Sequence, residues 1–347
     1  MQDPDVAHLN FDSHQGRELA AASQRLASIG GPESPGVAST ARQWIKSFES
    51  TLTPEQKAVV QRFTDGRLSA LMFSHLPHPG ADPAPEQLPG LSTFEQCPRC
   101  LYLAARNQLL LELVRYRSFA FDIDNEGKQM RLVGNFKGGG HVSLENEPTG
   151  ADVELSSHSG LQLGLHTEAP YNCAVLARAG HSPAPSALIL TARWNPASQA
   201  TRILPLANII ERLGTLHALA LTSASFDFTR SECFVAGQGD AGTAISMLQF
   251  DANGGFALRY NAYRFSLNSH ASEAASRAFD AFVALVQAAR PLSFELQPDS
   301  ALLINNARTL HGRDTLVDNR RLLIRLFGYS RFAQPIVIRH DPLLVQG

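Results

Sequence analysis

The chain has 347 residues, 44% of them hydrophobic, with 30 basic residues against 32 acidic ones. That apolar content is ample for a core and excludes a disordered chain, while the net charge of −2 lacks the basic excess of a nucleic-acid-binding surface. No apolar run approaches the roughly 20 residues that a membrane-spanning helix needs, so neither nucleic acid nor membrane is expected as a partner.

Residues 1–38 are rich in Ser, Gly, Pro and Ala and begin MQDPDVAHLNFDSHQGREL, with early acids and no apolar h-region. They read as a loosely ordered arm with one short helix around Arg17–Ser28, not as a signal peptide, and a cytoplasmic location is the expectation. Residues 39–347 read as one domain with a helical first part. A helix is predicted near 40–50. A second begins at Thr53, where Thr53-Pro54-Glu55-Gln56 supplies an N-cap, an N1 proline and an N3 glutamine, and it stops before Asp65-Gly66. A short strand within Leu68–Pro77, a Pro/Gly-rich loop to Leu91 and a helix over about 98–115 follow. Beyond these come short β-like runs separated by turn signals, from SFAFDI through LGLHTE and ALILTARW to ALLINN and RRLLIRLFGYS. Two helices, about 205–221 and 271–289, interrupt the series. The pattern is mainly β with flanking helices and suggests a sandwich or barrel, not a βαβ fold.

Four cysteines do not make a disulfide scaffold. Cys97 and Cys100 form a single CPRC. A zinc ribbon needs a second pair, and a thioredoxin-like motif wants a preceding strand, so the pair reads as buried or half-buried thiols. Gly138-Gly139-Gly140 lacks the lysine and spacing of a phosphate loop and reads as a flexible turn. No G-x-S-x-G of an α/β-type serine hydrolase occurs.

Three segments carry chemistry. In Gly164-Leu165-His166-Thr167-Glu168, strand alternation puts His166 and Glu168 on one face, two-thirds of a 2-His-1-carboxylate metal triad with open positions. In Asn305-Asn306-Ala307-Arg308-Thr309-Leu310-His311-Gly312-Arg313, an apolar strand ends in a polar turn and a histidine follows that can supply the third ligand; by itself it equally suits a histidine bonded to a loop carbonyl. In Arg321-Leu322-Leu323-Ile324-Arg325-Leu326-Phe327, residues 323, 325 and 327 share one face and 322, 324 and 326 the other. Both faces are apolar, so Arg325 is a buried guanidinium that needs an anion from the protein or from a ligand. It lies 14 residues after His311, and a hairpin would fold it back beside the metal.

Together these residues resemble the Fe(II)/2-oxoglutarate-dependent dioxygenases, in particular the clavaminate synthase-like branch of the TauD/TfdA-like superfamily, over about residues 115–335. The resemblance implies a double-stranded β-helix (jelly roll, cupin-like), iron held by His166, Glu168 and His311, and 2-oxoglutarate held through Arg325 and a threonine. Thr201 is the first candidate for that threonine and Thr191 the second. It also implies O2-dependent oxidation of an unactivated C–H bond, with hydroxylation, desaturation or cyclisation as outcomes. Glu168 disfavours a halogenase, which replaces that acid with a small residue. Relatives in the branch act on amino acids, free or carrier-tethered, in specialised metabolism. Here Ala169-Pro170-Tyr171-Asn172 follows the Glu in place of the usual Asn-Ala-Phe-His, and Arg259-Tyr260-Asn261 stands where several members have Arg-Tyr-Asp. The missing acid argues for a neutral amino acid, a carrier-tethered one or a cyclic dipeptide over a basic one. Candidate substrate contacts are Gln162, Tyr171, Asn172, Asn261 and Arg313. Two other classes stay open: a cupin-like metal enzyme without 2-oxoglutarate, and a non-catalytic β-sandwich binding protein.

Overall fold

The structure, a computed structural model, describes all residues except 1–4, 81, 142–154, 172–174, 232, 236–237, 240 and 252–254. In chain order it has strand β1 (Val6–Asn10), helices α1 (Ser13–Ser28), α2 (Val37–Phe48) and α3 (Pro54–Thr64), and strand β2 (Ala70–Ser74). Helices α4 (Leu91–Glu95) and α5 (Pro98–Leu113) lead into β3 (Arg117–Phe121), β4 (Arg131–Gly134), β5 (Leu163–His166), β6 (Ala187–Trp194) and β7 (Thr201–Pro205). Helices α6 (Ala207–Leu213) and α7 (Thr215–Ala220) precede the short strands β8 (Phe226–Phe228), β9 (Gly242–Ile245), β10 (Leu248–Phe250), β11 (Phe256–Leu258) and β12 (Phe265–Leu267). Helix α8 (Glu273–Ala288) is followed by β13 (Leu292–Phe294), β14 (Ala301–Asn305), β15 (Thr309–Arg313), β16 (Leu322–Tyr329), β17 (Val337–His340) and β18 (Leu343–Val345).

A nine-stranded sheet runs β1-β2-β14-β6-β16-β3-β18-β17, with β4 also paired to β16, and a four-stranded sheet runs β13-β7-β15-β5. The large sheet is a wall between two cores, and the two-residue period of its strands decides which side chain goes where. Leu323 and Phe327 of β16, Leu188 and Leu190 of β6, and Leu302 and Ile304 of β14 join a core shared with Ile203, Leu204 and Leu310 of the four-stranded sheet. Their neighbours Leu322, Ile324, Leu326, Ile189 and Leu303 join a second core beneath α1, α2, α3 and α5. Both faces of β16 are therefore buried, as its unbroken apolar run requires.

Helix α5 is buried from Cys100 to Leu113 on every side, packed between α1 and α2 and the backs of β6 and β16. Its wholly buried Arg106 donates through Nη1 to the carbonyls of Pro77 at 2.6 Å and Pro298 at 2.7 Å, while its Nε has no partner. The capping box of α3 forms as predicted, Thr53 Oγ1 accepting from Gln56 N and Gln56 Oε1 accepting from Thr53 N. Two expectations are corrected. Residues 5–38 are not a loose arm: β1 pairs in parallel with β2 along Val6–Asn10, and α1 buries Leu19, Ala22 and Leu26 against the helical core. The helix expected around Arg17–Ser28 is the later part of α1, whereas the Ser- and Gly-rich composition hid β1 and the docking of both elements. The helix expected over 205–221 is two helices, because Gly214 takes φ 78°, ψ 159°, a conformation essentially reserved for glycine. Among the described residues no helix is long and apolar enough to cross a membrane.

Candidate active site

His166 ends β5 and His311 sits in β15, and the antiparallel register puts the two directly opposite each other. Their rings are 4.3 Å apart between centroids. The close approach depends on the next residue: a Cβ on Gly312 would lie 2.6 Å from the carbonyl oxygen of Leu163. The carbonyl oxygen of Gly164 accepts from His166 Nδ1 at 2.7 Å, so that nitrogen is protonated and Nε2 is left as the free lone pair.

Glu168 lies just beyond β5, and the backbone on each side of it is pinned. Thr167 N donates to the Tyr260 carbonyl at 2.7 Å, and Glu168 N donates to Asn306 Oδ1 at 2.7 Å. Asn306 in turn donates to the Pro185 carbonyl at 2.9 Å. The polar Asn305-Asn306 turn thus holds the carboxylate as well as leading to His311. One ligand atom from each of His166, Glu168 and His311 lies within 4.8 Å of the others, the one such group of three among the described residues. His311 Nε2 is 3.3 Å from Glu168 Oε1. Two imidazoles and one carboxylate suit a divalent iron with open positions. Burial, reinforced by His311, brings the His166 pKa down to about 4, so it is a neutral ligand at neutral pH. Burial opposes the charge on Glu168, yet Arg325 and then His311 hold its carboxyl well below the usual range.

Two groups of arginines share the cavity with this triad. In the first, Arg325 Nη1 donates to Glu168 Oε1 at 2.8 Å, and its Nη2 is 3.6 Å from Asp124. Arg131 also pairs with Asp124 and donates through Nε to Ser157 Oγ at 2.7 Å. Arg325 therefore already faces two carboxylates. It does not reach the triad by a hairpin from His311: β15 and β16 lie in different sheets, and Arg325 meets the triad from the opposite wall.

The second group is Arg313 and Arg321. Arg321 Nη2 donates to Thr201 Oγ1 at 3.1 Å, and Arg313 Nη2 donates to the Ser159 carbonyl. Both side chains are buried, and among the described residues neither has a carboxylate within ion-pair reach. The Nε atoms of both, and Nη1 of Arg313, have no partner. Burial lowers the Arg321 pKa to about 10, and burial together with Arg321 lowers that of Arg313 to about 9.

Of the expected substrate contacts, Tyr171, Asn261 and Arg313 line the cavity, with Asn261 Nδ2 donating to the Tyr171 hydroxyl at 3.0 Å. Gln162 is exposed and does not line it. Asn172 lies outside the described residues. Thr201 opens β7 at the cavity, whereas Thr191 points to the helical side, where it donates to the Ser300 carbonyl at 3.0 Å. Arg321 was legible and missed: it is one alternation step before Leu323, on the face of Arg325. Asp124 and Arg131 carry no comparable signal, since they come from a turn and a neighbouring strand.

A family model described as the taurine catabolism dioxygenase TauD, TfdA family matches residues 211–327, about a third of the chain, which includes His311, Arg321 and Arg325. No curated protein sequence matches the chain. Among solved structures, an asparagine oxygenase with Fe(II), (2S,3S)-3-hydroxyasparagine and succinate is 16% identical, over 98% of this chain and 99% of that one, with a TM-score of 0.71. The non-haem iron oxygenase OrfP with Fe, succinate and (3S)-hydroxy-L-Arg is 17% identical, over 93% and 94%, with a TM-score of 0.67. The same oxygenase with Fe and alpha-ketoglutaric acid gives 16%, 93%, 94% and 0.66. At such identities the likeness is one of fold. Residues 211–327 are thus similar to the TauD, TfdA family, and the whole chain has the fold of these non-haem iron oxygenases.

Proposed function

We propose that this protein is an Fe(II)- and 2-oxoglutarate-dependent dioxygenase that oxidises an unactivated C–H bond of an amino acid or amino-acid-derived substrate, on a double-stranded β-helix formed by the two opposed sheets. The observation that carries the reading is the pair Arg313 and Arg321, which no carboxylate among the described residues compensates, in the cavity of the His166, Glu168 and His311 triad. Two buried cations without an anion are costly, and a dicarboxylate ligand offsets that cost. Thr201 and Arg321 take its far carboxylate and Arg313 reinforces the local charge, a role assigned to this pair in place of Arg325. A cupin-like enzyme that uses no 2-oxoglutarate has no need of such a pair, and a binding protein has no need of the triad.

The triad would hold Fe(II), which supplies the coupling of O2 reduction and 2-oxoglutarate decarboxylation to C–H oxidation. The chain's own residues do the rest. Nδ1–H of His166 is tied to a carbonyl, so its metal-facing nitrogen keeps one tautomer. Leu188, Leu190 and Leu323 line the cavity with apolar surface and exclude water. Arg325 and Arg131, with Asp124 between them, offer a cation for a carboxylate and an anion for an ammonium, which fits the zwitterionic end of a free amino acid. A carrier thioester has no free carboxylate to match. Asn261, uncharged and bonded to Tyr171, fits a neutral side chain. The asparagine oxygenase of similar fold, with its hydroxyasparagine, agrees with a neutral substrate.

The test is an anaerobic titration of apo-protein with Fe(II) and 2-oxoglutarate, followed by visible absorption. A weak charge-transfer band that needs both additions and disappears in His311→Ala is expected; no band with both present overturns the reading.

A further inference from the structure

The CPRC segment lies on the other side of the large sheet from the cavity and takes no part in the proposed oxidation. Cys97 is the N-cap of α5, and Cys100 is its N3 residue. Those are the two positions whose side chains meet at a helix start. Positions three apart at a helix start are neighbours, and a disulfide tolerates Cα separations of about 4.4–6.8 Å. Cys97 shares this first turn with the backbone N–H groups of Arg99 and Cys100, which no side chain caps. Cys97 is partly exposed, and Cys100 is wholly buried.

A buried cation completes the site. Arg193 of β6 is 2% exposed and places its charge near both Cys97 and Cys100. One arm of its guanidinium pairs with Asp82, which also binds Arg99 at 2.7 Å, while its Nε has no partner. The strand alternation that turns Leu190 and Ala192 toward the cavity-side core turns Arg193 to the helical side. Hydrogen bonds from Cys100, the free N–H groups of the helix start and the guanidinium all favour a thiolate at Cys97, whose pKa falls to about 5. The neighbouring sulfur and burial push the Cys100 thiol strongly up. Among the described residues no third His, Cys, Asp or Glu joins the pair to hold a metal. The sequence alone reads these as thiols without a role; their placement gives one an exposed nucleophile's setting and the other that of a buried partner.

We propose that Cys97 and Cys100 are a redox-active dithiol, separate from the oxygenase centre, that exchanges with small-molecule disulfides and closes a disulfide across the start of α5. The Cys97 thiolate attacks one sulfur of glutathione disulfide and expels one glutathione thiolate. Cys100 then loses its proton to solvent and attacks the Cys97 sulfur of the mixed disulfide, expelling the second glutathione. Two protein thiols are oxidised and one glutathione disulfide is reduced to two thiols.

The test uses the full chain in glutathione buffers of stepped ratio, with acid quench, alkylation and peptide mass spectrometry. Cys97 and Cys100 are expected to be lost together, as one linked peptide pair, and to return together on reduction. At pH 6 iodoacetamide should modify Cys97 at least ~10-fold faster than Cys233, which is half-buried like Cys97 but whose thiol desolvation pushes up to about 11. Cys100→Ser, checked for folding by circular dichroism, should stall as a glutathione mixed disulfide at Cys97. Free thiols at both positions in oxidised glutathione, equal alkylation of Cys97 and Cys233, or no mixed disulfide in folded Cys100→Ser would each overturn the proposal.

Discussion

At the scale of single residues, the proposed 2-oxoglutarate contact moves from Arg325, where the sequence put it, to Arg321. Among the described residues Arg321 has no carboxylate partner, while Arg325 already touches Glu168. Arg321→Ala should therefore weaken 2-oxoglutarate binding by about 100-fold or more, since losing one partner of a buried, hydrogen-bonded charge pair costs ~2–5 kcal/mol. Iron affinity should hold. Calorimetric titration of the co-substrate into the metal-loaded, oxygen-free protein measures both, and unchanged 2-oxoglutarate affinity would return the role to Arg325. The triad was legible because strand alternation and the His-x-Glu spacing are local. The route to Arg325 was misjudged because counting from His311 assumes a hairpin, and the chain instead crosses from one sheet to the other between β15 and β16. Asp124 and Arg131 were illegible for a related reason: they meet only through sheet pairing, β4 lying beside β16.

At the scale of elements, caps and alternation were readable, and backbone exceptions less so. The α3 capping box needs only four residues in order. The break between α6 and α7 rests on one glycine whose apolar flanks continue the helical period on both sides. Gly214→Ala is expected to cost about 1–3 kcal/mol, the order of strain for a non-glycine residue in that region, read as a lower urea midpoint with an unchanged slope. An unchanged midpoint would mean that the two helices can merge without strain. The small strands β8, β9, β12 and β13 were missed because three or four residues carry too little periodicity to stand out.

At the scale of the whole molecule, the helical layer carries a buried acid with a stability signature. Glu112, near the end of α5, is 6% exposed with Arg42 at 3.6 Å, and burial outweighs Arg42 and Arg117 to raise its pKa to about 7. A carboxyl with a raised folded pKa binds its proton more tightly in the native state. Its contribution is thus greatest at low pH and is lost as pH rises from about 4.5 to about 7. The slope is at most about 1.4 kcal/mol per pH unit. Glu112→Gln should flatten that part of the pH–stability curve measured by urea denaturation; an unaltered curve would show that Glu112 stays ionised. Residues 5–28 are bound into this same layer through β1 and α1, although their composition alone suggested a loose arm.

The large sheet has a further consequence for how this protein can change. Along β16, odd positions carry Leu323, Arg325 and Phe327 toward the cavity, and even positions carry Leu322, Ile324 and Leu326 toward the helices. Residue parity therefore sorts mutations. Leu323 and Phe327 also belong to the cavity-side core, so changes at odd positions of β16 alter cavity lining and packing together, whereas changes at even positions act on the helical core alone. A library aimed at the cavity therefore needs only the odd register.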